Sequence, residues 1–301
     1  MPEGHSVHRI ARQFDLHFVG WPVAASSPQG RFAQGATELD GHTMAQAKAV
    51  GKQLFLEFDH GLWLRVHLGI YGAWDFAGDI TADATALNGS MGAPRRSRLR
   101  MAEQERIVET IEQFPPEPTG QVRVRLLTEQ TVADLRGPTA CEVQTADQVA
   151  ATISKLGPDP LVDDPHEAEE RFVSAVRRKA TPIGLLLMDQ SVVSGIGNVY
   201  RAELLFRANL NPHTPGKVLA PDLVRQLWRD WSHLLSVGVQ TGLMLTRDGL
   251  GAEDQRAALA SRDDRHWVYH REGLPCRVCG TNIVMELAAA RKLYWCPRCQ
   301  A

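Results

Sequence analysis

The stretch Pro275–Gln300, PCRVCGTNIVMELAAARKLYWCPRCQ, holds four of the five cysteines of this 301-residue chain. They form two Cys-x2-Cys pairs separated by 16 residues: Cys276, Cys279, Cys296 and Cys299. Each pair places two thiolates on one tight loop, where both can bind the same tetrahedral metal ion. The spacing predicts one structural Zn²⁺ on a β-hairpin, with strands near 282–285 and 292–295 and Gly280 in a turn that favours positive φ. Because four thiolates leave no open coordination position, the metal is expected to hold the fold and not to perform chemistry.

The composition outside this module is that of a globular protein, with 44% hydrophobic and 23% charged residues. No apolar run approaches the roughly 18–20 residues of a membrane helix, and no signal peptide precedes the first polar segment. These features predict a cytoplasmic location with reduced cysteines, and the isolated Cys141 is expected to be an inert buried thiol.

The net charge of −2 conceals an uneven distribution along the chain. Residues 75–170 carry 18 acidic and 9 basic side chains, whereas residues 171–217 carry 2 acidic and 7 basic ones. A polyanionic partner is therefore expected to meet the later part of the chain, although a solvated basic surface explains the same asymmetry.

Hydrophobic periodicity predicts an N-terminal half that is mostly β. Apolar residues recur every three or four positions across 3–18, which is typical of a helix. Apolar and polar residues then alternate, which predicts paired antiparallel strands at 52–58, 62–68, 121–127 and 131–135. One leading helix followed by such strands favours a β-sandwich or barrel.

The second half is predicted to be helical. Glycine, proline and arginine in 88–100 and 114–120 indicate loops before the change. Helical spacing then predicts helices at 146–155, 165–178, 199–208, 221–238 and 241–245. The expected fold class is α+β, with an N-terminal β-sandwich and leading helix (1–148), a helical segment (149–260) and the zinc-ribbon hairpin (261–301).

Two short motifs carry candidate chemistry. The turn Gly195-Ile196-Gly197-Asn198 precedes a helix, where exposed backbone N–H groups and the helix dipole favour a phosphate; an ordinary helix–helix corner is the alternative. At the chain start, removal of Met1 makes Pro2 a secondary amine that can attack an electrophilic carbon and form an iminium ion. Glu3 beside it can donate a proton, although most such terminal pairs have no role.

Taken together, these segments resemble the formamidopyrimidine-DNA glycosylase/endonuclease VIII family. Met1-Pro2-Glu3-Gly4 is similar to the family's start, and Val50-Gly51-Lys52 to its lysine loop. Gln190–Phe206 resembles its helix–two-turn–helix motif, and 275–300 its zinc ribbon. The resemblance implies a monomeric base-excision-repair enzyme that binds damaged DNA, duplex or single-stranded. Such an enzyme removes an oxidised base and cleaves the strand by β- and δ-elimination.

The resemblance also implies a role for each motif residue. Pro2 is the nucleophile at C1′ of the damaged nucleotide, and Glu3 is the general acid for base loss and sugar ring opening. Lys52 binds phosphate and assists elimination. Asn198 and Arg291 clamp the phosphates around the flipped nucleotide, and Arg291, expected in the loop between the ribbon strands, is tied to δ-elimination.

Residues 67–72, HLGIYG, occupy the family's wedge position. His67, Ile70 and Tyr71 are expected to contact DNA, with the last two replacing lost base stacking; burial in the hairpin core is the alternative. The Ile-Tyr pair, like Gly4, is closer to endonuclease VIII, which favours oxidised pyrimidines as substrates. Gly69 lacks a side chain that probes the opposite strand, so opposite-base selectivity is expected to be weak.

The sequence departs from the family pattern at further positions. His5 and Ser6 replace more usual residues, which bears on substrate preference. Arg136 lies in 134–138, which only partly resembles the family's arginine-phenylalanine loop because no Phe is present; entry of Arg136 into the duplex is an expectation. A catalytically inactive damaged-DNA-binding protein and a zinc-ribbon interaction protein remain the alternative functions.

Overall fold

The computed structural model describes residues 2–80, 97–102, 105–110 and 113–301, and for residues 97 and 105–110 it gives the backbone alone. The chain divides into two compact units, Met1–Lys155 and Leu156–Ala301. Each unit has its own hydrophobic core.

The first unit is built from two antiparallel sheets and a leading helix. Its elements are α1 (Gly4–His17), β1 (Ala24–Ser26), α2 (Ala33–Leu39), β2 (Met44–Val50), β3 (Gln53–Phe58), β4 (Leu62–His67), β5 (Ala73–Gly78), β6 (Ser97–Met101), β7 (Glu105–Thr110), β8 (Val122–Leu127), β9 (Thr131–Arg136), β10 (Ala140–Thr145) and α3 (Ala146–Ile153). Six strands pair in the order β1-β8-β9-β5-β6-β7, and four in the order β10-β4-β3-β2. The predicted leading helix and strand pairs are confirmed.

The core of this unit lies between the sheets and the apolar face of α1. Val7, Ile10 and Phe14 of that helix are at most 1% exposed. The Phe14 ring meets Trp74 of β5 edge-on, with ring centroids 4.8 Å apart. Truncating a fully buried phenylalanine costs about 3–5 kcal/mol, so this face fixes where α1 begins and what precedes it.

The second unit is helical and ends in a hairpin. Its elements are α4 (Pro165–Arg177), α5 (Ile183–Leu186), α6 (Asn198–Arg207), α7 (Pro221–Thr241), α8 (Ala252–Ala260), β11 (Val284–Ala288) and β12 (Arg291–Trp295). Helix α7 crosses the core, where Trp228 packs on Phe172 and Trp231 on Tyr200. The α+β class with a terminal zinc-ribbon hairpin is therefore confirmed.

The loop predicted at 88–100 is wrong for its last residues. Residues 97–100 belong to β6, and residues 88–96 lie outside the described part of the chain. Along β6 the arginines alternate with Leu99 and Met101, which are 3% and 1% exposed. The high content of arginine indicated a loop, although the alternating apolar residues form a strand with one buried face.

The helix predicted at 241–245 is also wrong. Helix α7 ends at Thr241, and Gly242 takes a left-handed conformation with φ 70°. The Gly242 N–H donates to the Gly238 carbonyl at 2.9 Å. Glycine at this position is a common helix stop, and the apolar residues beyond it continue as irregular chain.

Within the described residues, no helix combines the length and apolar character that crossing a membrane requires.

Candidate functional site

Pro2 and Glu3 are held by the start of α1. Both are buried, and Glu3 is 1% exposed. Glu3 has an extended backbone (φ −110°, ψ 179°), and its carbonyl accepts from the Ser6 N–H at 3.0 Å. Its side chain does not cap the helix. The helix therefore fixes the backbone of both residues without using the Glu3 carboxyl group as a cap.

His5 and Ser6, which depart from the family pattern, are buried in the same turn. The Ser6 Oγ lies 3.2 Å from His5 Nε2. Burial, and then the charges of Arg9 and His8, lower the His5 pKa to about 3. His5 is therefore neutral at pH 7, and the environment of Pro2 and Glu3 gains no positive charge from it.

Lys52 and His67 are brought together at one end of the four-stranded sheet. Lys52 follows Gly51 (φ 58°) in the β2–β3 turn, and the β3–β4 register pairs the next residue, Gln53, with His67. Burial, and then the charges of Lys52 and Arg65, lower the His67 pKa. With its pKa lowered, His67 is mostly neutral at pH 7, so Lys52 supplies the positive charge of this pair for an anionic ligand.

The wedge loop 68–72 projects its large side chains into solvent. Tyr71 is 85% exposed and Ile70 is 44% exposed, which excludes the hairpin-core alternative. The Gly72 N–H closes the loop onto the Leu68 carbonyl at 3.0 Å. At Gly69 (φ 67°) a Cβ would lie 1.7 Å from the Thr139 Oγ1, so the missing side chain is a packing requirement.

Arg136 is engaged inside the protein. Its guanidinium forms an ion pair with the buried Asp75 and donates to the Thr119 carbonyl at 3.1 Å. Entry into a DNA duplex would require this ion pair to break. The expected insertion of Arg136 stays a prediction that this geometry does not favour.

Asn198 and Arg291 are brought together in the second unit through the ribbon. Asn198 is the first residue of α6, and its Nδ2 donates to the Lys292 carbonyl at 2.8 Å. Arg291 precedes Lys292 and is exposed. Arg201, 0% exposed, donates to both the Asn198 Oδ1 (2.5 Å) and the Lys292 carbonyl (2.9 Å). Sequence reasoning missed Arg201, although a charged residue on the apolar side of a helix was a signal.

The expected position of Arg291 in the loop between the ribbon strands is wrong by one residue. Arg291 begins β12 and pairs with Ala288, so that Ala289 and Ala290 form the turn. Both alanines have positive φ, 48° and 61°. Alanine rarely adopts this conformation, and the sequence therefore did not reveal a two-residue turn.

Hydrogen bonds inside the protein hold the glycine-rich turn, and they use the Gly195 N–H, one of the groups expected to face a ligand. The Gly195 N–H donates to the Gln190 Oε1 at 3.1 Å, and the Ser194 N–H donates to the Pro158 carbonyl at 3.0 Å. The Gln190 Nε2 in turn donates to the Ile196 carbonyl at 3.0 Å. These bonds fix the turn and thereby the start of α6.

Glu203, also missed by sequence reasoning, ties α6 to the segment before the ribbon. Its fully buried carboxylate accepts from the backbone N–H groups of Trp267, Val268 and Tyr269 at 2.7–2.9 Å. The Thr246 hydroxyl supplies a fourth bond at 2.5 Å. Four donors to one carboxylate offset its desolvation and make this junction rigid.

The four ribbon cysteines fit one Zn²⁺ ion. Their sulfur atoms lie within 4.8 Å of one another, with Cys276–Cys299 at 3.9 Å and Cys279–Cys296 at 3.5 Å. Four ligands about 2.3 Å from a central zinc lie about 3.8 Å apart, whereas a disulfide needs about 2.05 Å. Gly280 has the expected positive φ, 75°. The bound zinc holds the hairpin and leaves no site for substrate.

Loss of one zinc ligand is expected to release the ribbon. In Cys296→Ser we expect a zinc content near zero and loss of strand cleavage, because structural zinc contributes about 10–16 kcal/mol to folding in isolated fingers. Metal analysis and cleavage of abasic-site DNA measure both effects. Cys141→Ser is the control, since burial raises the Cys141 pKa to about 12 and keeps it an unreactive thiol. Full zinc content in Cys296→Ser would contradict the four-cysteine assignment.

Three family models match the chain. The formamidopyrimidine-DNA glycosylase N-terminal domain matches residues 1–141, and the formamidopyrimidine-DNA glycosylase H2TH domain matches residues 156–248. The zinc finger found in FPG and IleRS matches residues 273–301.

Relatives align over the whole chain. Endonuclease 8 1 of Mycobacterium tuberculosis is 39% identical, with 100% of both chains covered. Endonuclease 8 of Escherichia coli is 28% identical, again with 100% of both covered. The crystal structure of MutM (Fpg) from Thermus thermophilus is 25% identical with a TM-score of 0.69, covering 99% of this chain and 98% of that one. The chain therefore belongs to the formamidopyrimidine-DNA glycosylase/endonuclease VIII family of DNA glycosylases that are also abasic-site lyases.

Proposed function

We propose that this enzyme removes oxidised bases from DNA, with pyrimidines favoured, through a Schiff base on Pro2. The observation that carries the proposal is the fixed position of Pro2 and Glu3 at the start of α1, in the unit whose sheet places Lys52 beside His67. The full-length relatives named endonuclease 8 support the same branch.

The chemistry follows from the amine of Pro2 once Met1 has been removed. The Pro2 nitrogen forms a bond to C1′, the glycosidic bond breaks, and the base leaves with its electron pair while Glu3 supplies a proton. The amine then loses its proton, and the C1′–O4′ bond breaks as O4′ takes a proton from Glu3, once Glu3 has been reprotonated, which gives an iminium ion. This ion is an electron sink that acidifies the C2′–H bond.

Strand cleavage then proceeds as two eliminations. Removal of the C2′ proton expels the 3′ phosphate, and a second elimination expels the 5′ phosphate. Hydrolysis of the remaining iminium ion releases the sugar fragment as an aldehyde and restores the Pro2 amine. We assign Lys52 to phosphate binding near the first elimination, and Asn198 and Arg291 to the phosphates, with Arg291 supporting the δ-elimination.

Ile70 and Tyr71 are assigned to the space that the flipped nucleotide leaves, and His67 to the DNA backbone. The large exposed apolar surface at Tyr71 has no packing role in the protein and suits a stack of bases. In this proposal the N-terminal division (1–148) carries out the chemistry, the helical division (149–260) binds phosphates, and the last division (261–301) forms the zinc ribbon. We place the enzyme in the cytoplasm, at the nucleoid, as a monomer.

Borohydride trapping on a set of lesion duplexes at one salt concentration tests the function. We expect covalent adducts with thymine glycol and other oxidised pyrimidines at several times the rate seen with 8-oxoguanine. Adducts with neither class would indicate an inactive DNA-binding protein. Faster trapping on 8-oxoguanine would overturn the pyrimidine preference alone.

Truncation of Tyr71 is expected to separate DNA recognition from folding. In Tyr71→Ala we expect base excision from duplex DNA to fall about tenfold to a hundredfold, because extrusion of a base costs a few kcal/mol and the stacking replacement is lost. The melting temperature stays unchanged, since the side chain is exposed. Leu16→Ala, an exposed apolar truncation on α1 (57% exposed), should change neither quantity.

A further inference from the structure

His42, Asp59 and His60 form a cluster at the end of β3 opposite Lys52. Asp59 and His60 lie in the β3–β4 turn, and His42 lies in the segment before β2. We propose that this cluster is a second metal site, which binds a divalent transition ion such as Zn²⁺. It is separate from the ribbon cysteines and from the residues assigned to catalysis.

The donor atoms lie at distances that suit one ion. The His42 Nδ1 is 2.8 Å from the Asp59 Oδ1, and the His60 Nδ1 is 3.7 Å from the same oxygen. One ligand atom from each of the three residues lies within 4.8 Å of the others. The 2.8 Å contact is a hydrogen bond in which the His42 Nδ1 donates to the Asp59 carboxylate, so this hydrogen must be released, or the ring must turn, before His42 binds an ion. Tetrahedral ligands about 2.0–2.1 Å from zinc are separated by about 3.3 Å, so metal binding would lengthen the His42–Asp59 distance and shorten the His60–Asp59 distance.

The second contacts of two ligands orient them for metal binding. The His60 Nε2 lies 3.0 Å from the Glu38 carbonyl, which can only accept, so Nε2 carries the hydrogen. In neutral His60 this leaves the lone pair on Nδ1, which faces the Asp59 carboxylate. The other Asp59 oxygen accepts from the Thr43 N–H at 3.1 Å. Metal-bound histidines and carboxylates carry outer hydrogen bonds of this kind.

The cluster is open to solvent, so an ion can enter and water can complete its coordination. The side chains of His42, Asp59 and His60 are 39%, 49% and 23% exposed. The imidazole rings are stacked, with centroids 3.6 Å apart and planes 14° from parallel. Rotation of one ring about its Cβ–Cγ bond is needed for both lone pairs to converge. Two imidazoles and one carboxylate favour Zn²⁺, Ni²⁺ or Cu²⁺ over Mg²⁺ or Ca²⁺.

Zinc titration of the protein that already carries its ribbon zinc tests the proposal. The added Zn²⁺ competes with a chromophoric chelator, and we expect one further equivalent per chain. His42→Ala and His60→Ala are each expected to weaken this second equivalent at least about tenfold, with the ribbon zinc retained. His233→Ala, an exposed histidine on α7, is the matched control and should bind as the wild type does.

Two further readouts distinguish binding at the cluster from scattered surface binding. Added zinc should shift the imidazole ¹⁵N resonances of His42 and His60 before those of other histidines. It should also raise the melting temperature of the wild type but not of either variant. One zinc per chain throughout the titration, or equal binding by the His42→Ala/His60→Ala double variant, would overturn the proposal.

Discussion

Pro2→Gly is expected to lower both base excision and borohydride trapping about a thousandfold, equivalent to about 4 kcal/mol in activation free energy. Glycine retains a terminal amine, but a primary, less nucleophilic one on a more mobile backbone. The proline ring carries a secondary amine and restricts rotation about the N–Cα bond, directly before a buried helix start. The expected loss of activity therefore comes from a different nucleophile in a less fixed position. The core of the first unit, whose first residue is Val7, is unchanged.

Glu3→Gln is expected to separate base excision from Schiff-base formation and strand cleavage, which Pro2→Gly impairs together. Without a proton donor, base excision is expected to fall about a hundredfold to ten-thousandfold. A preformed abasic site already lacks its base, so Glu3→Gln should still form an adduct with abasic DNA and cleave it at a substantial rate. Single-turnover assays on lesion and abasic duplexes measure the split.

Asp15→Asn, an exposed change on the same helix, is the control for both variants. If Pro2→Gly trapped abasic DNA at the wild-type rate, the proline ring would not be required for the chemistry. A blocked N-terminus would then distinguish the glycine amine from another nucleophile, for which Lys52 would be the next candidate. If Glu3→Gln lost both activities equally, its role would extend to every step of the Schiff-base chemistry.

Local patterns predicted the parts of the molecule that local physics decides. The cysteine spacing indicated the ribbon because two thiolates on one short loop can bind only one metal ion. The period of Val7, Ile10 and Phe14 indicated α1 because those residues had to face one core. Composition led to two wrong predictions. The arginines of β6 indicated a loop where a strand forms, and the apolar residues beyond Gly242 indicated a helix where the chain is irregular.

The contacts between distant residues were beyond such patterns. No local spacing links Arg201 to Lys292, or Glu203 to the backbone of Trp267, yet these bonds hold the elements that carry Asn198 and Arg291, the residues proposed to bind phosphate. The ion pair of Arg136 with Asp75 depends on the register of β5 against β9. Such contacts arise from the tertiary fold. The family motif therefore identified the candidate site residues, and the structure showed which other side chains hold them in place.

Arg201→Lys is expected to weaken DNA binding about tenfold to a hundredfold, with a much smaller effect on the rate at saturating DNA. The Arg201 guanidinium bonds the Asn198 Oδ1 and the Lys292 carbonyl at once, and so holds α6 and β12 in one arrangement. A lysine ammonium keeps the charge but lacks the planar fork that reaches both acceptors. Asn198 then loses a fixed amide, and the strand that begins with Arg291 loses one of its two bonds to α6.

A double-mutant cycle decides whether Arg201 acts through Asn198. If it does, the double variant Arg201→Lys/Asn198→Ala should bind abasic-analogue DNA scarcely more weakly than Asn198→Ala alone. In the double variant the Asn198 amide is already absent, so its displacement by Arg201→Lys has no further effect. Independent losses that add would instead mean that the buried Arg201 acts through its bond to Lys292, and thus through the strand that carries Arg291. The stability effect is isolated by Arg207→Lys, a cation on the same helix whose bonds are to Asp230, Asp248 and the Thr246 carbonyl. Arg207→Lys should lower the melting temperature and leave the dissociation constant for DNA unchanged. Arg201→Lys should raise the dissociation constant for DNA even at temperatures where both variants are fully folded.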